Sequence, residues 1–99
     1  MKILFTDKDP DTALSEINEI LAGRKLGKIV SLDKTDDGLT VVISKMGTSK
    51  LFFSRNENDK GFTLTLSSEK IAFSHKAFKS EVTDKFIEVV KQAGGKVTT

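Results

Sequence analysis

Residues 39–75 read LTVVISKMGTSKLFFSRNENDKGFTLTLSSEKIAFSH. Apolar and polar side chains alternate through this stretch with the two-residue period of a half-buried strand. Leu39, Val41 and Ile43 fall on one face, with Thr40, Val42 and Ser44 on the other. Leu51 and Phe53 oppose Phe52 and Ser54. Phe62, Leu64 and Leu66 oppose Thr63, Thr65 and Ser67, and Ile71 and Phe73 oppose Ala72 and Ser74. Asp37-Gly38, Met46 to Ser49, Asn56 to Gly61 and Ser67 to Lys70 have turn compositions. The stretch therefore predicts four strands in meander order. A sheet with one apolar face has to cover it, which calls for helices from the flanking sequence.

Those helices are legible on both sides. Upstream, Asp9 is a candidate N-cap, Pro10 suits the first helical position and Asp11 the first turn. Ala13, Leu14, Ile17, Ile20 and Leu21 then form one stripe, and Gly23 offers a stop. Lys28 to Leu32 reads as a strand leading to Leu39. Downstream of His75 the period changes to that of a helix, with Phe78, Val82, Phe86, Val89, Val90 and Ala93 in one stripe ended by Gly94-Gly95. Met1–Thr6 reads as a short strand, and Lys96-Val97-Thr98 is its expected partner. The whole predicts an α+β two-layer sandwich of residues 1–99 as a single domain. A mainly antiparallel sheet of four to six strands carries two helices on one face, in the order (β)-α-β-β-β-β-β-α. Its expected core comprises Leu14, Ile17, Leu21, Val41, Ile43, Leu51, Phe53, Phe62, Leu64, Ile71, Phe73, Phe78, Val82, Phe86 and Val89.

Composition narrows the function classes. Charged residues make up 30% and apolar ones 37%, ordinary for a soluble domain. There are seven Phe but no Trp, Tyr or Cys, so neither a disulfide nor a thiolate nucleophile is available. The net charge is +2 with basic residues dispersed, too weak to argue nucleic-acid binding by itself. No stretch resembles a signal peptide or reaches membrane-spanning length. The expectation is a soluble, cytoplasmic protein without a membrane partner.

The chemical motifs are sparse. Asp7, Asp9 and Asp11 have the opening spacing of an EF-hand loop, but Thr12 stands where glycine is needed and Asn18 where the bidentate Glu belongs. Helix capping accounts for these acids. The glycines and lysines around Met46 to Lys50 and Gly23 to Lys28 do not match a phosphate loop. His75 is the sole histidine and has neither a Cys partner nor a nucleophile tied to it by motif, which suggests a boundary or capping role. No catalytic residue, metal ligand or cofactor is assigned.

The sequence points instead to surfaces. The second sheet face (Thr40, Val42, Ser44, Phe52, Ser54, Thr63, Thr65, Ser67, Ala72, Ser74) is rich in hydroxyls, where exposed sheets usually carry charge. The expected function is a small non-enzymatic binding or adaptor module working through this face or an edge strand. Val42, Phe52, Thr63 and Thr65 are its candidate contacts, and its partner is another protein or a second copy forming a homodimer. The basic cluster Arg24, Lys25 and Lys28 is a second candidate binding site. The alternative is a single-stranded nucleic-acid binder, with Phe52 stacking a base and Arg24, Lys25, Lys28 and Lys50 tracking phosphates. A minor alternative is an enzyme with its site near His75.

Overall fold

The computed structural model describes residues 1–77 and 79–98, with only the backbone of Lys79. Six strands, β1 (Lys2–Thr6), β2 (Val30–Lys34), β3 (Gly38–Ser44), β4 (Thr48–Asn58), β5 (Gly61–Lys70) and β6 (Lys96–Thr98), form one sheet. Their spatial order is β2-β3-β4-β5-β1-β6, and every neighbouring pair is antiparallel. Helix α1 (Pro10–Ala22) connects β1 to β2, and α2 (Lys79–Gln92) connects β5 to β6. Strands β5 and β6 both run against β1 between them, so the chain has to cross back over the sheet, and α2 makes that crossing. The α+β class, the antiparallel sheet and the two helices on one face agree with the sequence reading, as does the pairing of the terminal strands.

One apolar cluster lies between the layers. It joins Ile3, Phe5, Val41, Phe53, Phe62 and Leu64 of the sheet to Ala13, Ile17 and Leu21 of α1 and Val82, Phe86, Val89 and Val90 of α2. Phe5 and Phe62 stack with ring centroids 4.9 Å apart, across the pair Phe5–Phe62 of the β1–β5 ladder. Gly61, at φ +151°, opens β5 because a Cβ there would stand 1.9 Å from the Phe5 carbonyl oxygen. After α2, Gly94 adopts φ +95° and the Gly95 N–H reaches the Val90 carbonyl at 2.9 Å, closing the helix end. Lys8 adds a cation at that negative end, donating to the Ala93 carbonyl while paired with Glu16 of α1.

Helix α1 starts as its sequence suggests. Asp9 is extended (φ −87°, ψ 165°), and its carboxylate accepts the Thr12 N–H at 2.7 Å. This hydrogen bonding from Thr12 holds the Asp9 carboxyl below its ordinary range. A carboxyl depressed on folding stabilises the native state above its unfolded pKa, about 3.9, and the contribution disappears as pH falls through the folded value. Asp9→Ala is therefore expected to lower the melting temperature at neutral pH, with the gap to wild type closing in acid. Thermal scans across that range check this; a gap unchanged in acid would mean the carboxylate is not the cause.

Several local expectations are corrected. Ser67 to Lys70 is not a turn but the end of a ten-residue β5. Ile71 to Ser74 is not a strand; the chain makes a short 3-10 turn at Phe73–His75. In a strand, Phe73 and His75 would share a face, whereas with three residues per turn they point apart. His75 is accordingly buried, and Phe73, expected in the core, is exposed. Leu14 and Ile71 are only partly buried against the core, while Phe78 lies outside the described residues. The strand expected at Lys28 to Leu32 begins later, at Val30, after a 3-10 turn at Lys25–Lys28.

Candidate binding surface

Because both helices cover the inner face, no described element covers the outer one. The ladder registers place its side chains in rows. One row runs Ser31, Val42, Lys50, Lys70, and the next Asp33, Thr40, Phe52, Ser68. A third runs Ser54, Thr65, Lys2, Thr98, and a fourth Asn56, Thr63, Leu4, Lys96. The candidate residues Val42, Phe52, Thr63 and Thr65 all stand here, each half-buried.

A bulge arranges the centre of this face. Phe53 pairs with Leu66 but Phe52 pairs with Ser68, so Ser67 is the extra residue. The Ser67 hydroxyl donates to the Phe52 carbonyl at 3.0 Å. The irregularity falls on β5 and leaves the parity of β4 intact, with Phe53 inside and Phe52 outside. Beyond it, β5 presents Ser68 and Lys70 outward, where unbroken alternation from Phe62 would have turned them toward the helices.

The rows also segregate charge. Lys2, Lys50, Lys70 and Lys96 face outward against one strand carboxylate, Asp33. The face thus nets +3 in a chain of net charge +2, so everything else nets −1. Lys50 and Lys70 are direct cross-strand partners, a like-charge arrangement that costs stability unless an anion relieves it. Lys2, Lys70, Lys96 and Leu4 were not among the sequence candidates. Alternation in the end strands hints at Leu4, but only the register brings these residues beside Phe52.

Arg24, Lys25 and Lys28 do not join this face. They lie at the end of α1 and in the following 3-10 turn, which packs on α1, α2 and β2. Arg24 is 3.7 Å from Glu88 of α2. Lys25 borders a groove of about 340 Å³ with Lys45, Lys85 and Glu81 around Leu26 and Val82. Of the expected phosphate contacts, only Lys50 shares a surface with Phe52.

His75 enters a different arrangement. Its Nε2 lies 2.6 Å from the Lys45 carbonyl oxygen, which can only accept, so Nε2 carries a proton. Nδ1 is hydrogen-bonded to the Ser49 hydroxyl at 2.5 Å, and Ser49 Oγ itself accepts the Ala72 N–H at 2.8 Å. Ser49 is 0% and His75 2% exposed. A substrate carbonyl has no path to this serine, whereas the network ties the β3–β4 hairpin to the chain leaving β5. Among the acids near α1, Asp9 is occupied as a cap and Asp11 pairs with Lys34. No three His, Cys, Asp or Glu side chains among the described residues converge as a metal site would require.

Comparison of the chain with protein-family models, curated proteins and solved structures finds no match.

Proposed function

We propose that this protein is a non-enzymatic binding module that takes an acidic protein partner on the outer face of its sheet. The observation that carries the reading is the charge segregation: four outward lysines and one aspartate surround Phe52, Val42 and Leu4. The half-buried Phe52 supplies an apolar anchor, the hydroxyls supply hydrogen bonds, and the lysines select for negative charge. Two copies placed face to face would bring like charges together, which favours an acidic partner over a homodimer. The sealed Ser49–His75 pair supports the non-catalytic reading.

A second reading uses the same residues. Lysines flanking an outward aromatic suit single-stranded nucleic acid, with Phe52 stacking one base. Titration with polyglutamate and with an oligothymidylate of about 20 nucleotides, between about 50 and 200 mM salt, separates the two. The proposal expects polyglutamate binding that Lys50→Glu/Lys70→Glu abolishes and Lys25→Glu, on the helix side, leaves intact. Preferential oligonucleotide binding with a log–log salt slope near about −3, the value for four phosphate contacts, would replace it with the second reading. A dimer by light scattering that Phe52→Glu dissociates would replace it with self-association. Binding to neither probe by a monomeric protein would overturn the proposal.

A further inference from the structure

Met46, in the β3–β4 turn, and Phe73, in the 3-10 turn before α2, are 89% and 88% exposed. Their segments are far apart in sequence and locked together in space. The Ser74 hydroxyl donates to the Met46 carbonyl at 2.8 Å, while His75 and Ala72 are held through Ser49 and Lys45. Gly47 between them has no room for a side chain, since a Cβ would stand 2.9 Å from Ser74 Oγ. Met46 adopts φ +55°, an uncommon conformation for a residue other than glycine. A buried polar network thus presents two large apolar side chains to water, the reverse of what burial alone favours.

The two segments are cationic: residues 45–50 and 70–76 hold Lys45, Lys50, Lys70 and Lys76 and no Asp or Glu. Lys76 Nζ stands 5.5 Å from the centre of the Phe73 ring. We propose that this Met46–Phe73 tip is a peripheral docking point for an anionic lipid surface. The apolar side chains enter the boundary between headgroups and acyl chains, and the lysines meet the headgroup phosphates. Charge complementarity selects the anionic lipid. The projecting shape selects a fluid bilayer, which accommodates side chains that a protein partner would need a preformed pocket to receive. No described helix is long and apolar enough to cross a membrane, and a contact of this kind requires none. Lys50 and Lys70 also belong to the Phe52-centred face, but Met46 and Phe73 do not, so substitutions at those two positions test the tip separately from the proposed function.

The test is cosedimentation with phosphatidylcholine vesicles, pure or containing about one-third phosphatidylserine. Wild type is expected to bind only the anionic vesicles, less tightly as salt rises. Met46→Ser/Phe73→Ser is expected to bind them at least about tenfold more weakly, having lost both insertions. Both positions are exposed, and circular dichroism verifies the fold. The chain has no tryptophan, so Phe73→Trp reports insertion directly by a blue shift of its emission on the vesicles. The inference is overturned by failure of wild type to bind anionic vesicles, by equal binding of the double variant, or by unmoved tryptophan emission. Loss of polyglutamate binding in the double variant without any vesicle binding would also overturn it, assigning the tip to an acidic protein.

Discussion

Phe5→Ala is expected to destabilise the protein by about 3–5 kcal/mol, the range for a fully buried aromatic. Phe5 is 0% exposed, stacks on Phe62 and stands where β1 joins the helices. Its removal takes away apolar burial and leaves a cavity that the surrounding sheet can fill only by moving backbone. For a chain of this length the melting temperature should fall by more than about 10 °C. A total stability of about 5–15 kcal/mol leaves little margin for such a loss. Phe73→Ala, at an 88% exposed position, should change stability by less than about 0.5 kcal/mol. Urea titrations of the two variants check the contrast. Comparable losses would mean that Phe73 is packed and the tip is not as described.

Ser49→Ala and His75→Ala are each expected to cost about 2–4 kcal/mol, for reasons tied to one network. Without the Ser49 hydroxyl, the Ala72 N–H and His75 Nδ1 both lose a buried partner. Without the imidazole, the Ser49 hydroxyl and Lys45 carbonyl lose one, and a cavity remains. Each single variant breaks the same Ser49–His75 bond, so the double variant should cost at least about 1 kcal/mol less than the two singles combined. Additive losses would show that the two groups act independently. Either single variant should also weaken the locking of the Met46 and Phe73 segments, which hydrogen exchange at Ala72 and His75 would register as faster opening.

Helices α1 and α2, the meander and the inward set Val41, Ile43, Leu51, Phe53, Phe62 and Leu64 were legible because their signals are local. Alternation and helical stripes are written in consecutive residues, and Asp9-Pro10 and Gly94-Gly95 mark ends by backbone chemistry. Phe52 was placed outward for the same reason. The errors cluster between Ser67 and His75. There, turn-like residues lie within a strand and strand-like residues within a 3-10 turn, because pairing to β4 and bonding to Ser49 outweigh local preference.

Sequence alone thus determined the class of fold, the two helices and most of the core, since periodicity within each segment dictates which side must be buried. Tertiary structure decided which surfaces carry chemistry. Lys70 stands beside Lys50 only because of the extra residue at Ser67, and Lys2 and Lys96 join that face only because β1 lies between β5 and β6. The turns that carry Met46 and Phe73 are joined by the Ser74 hydroxyl and by the network around Ser49 and His75. Register, bulges and cross-chain hydrogen bonds are non-local, set by which strands meet, and no run of consecutive residues records them.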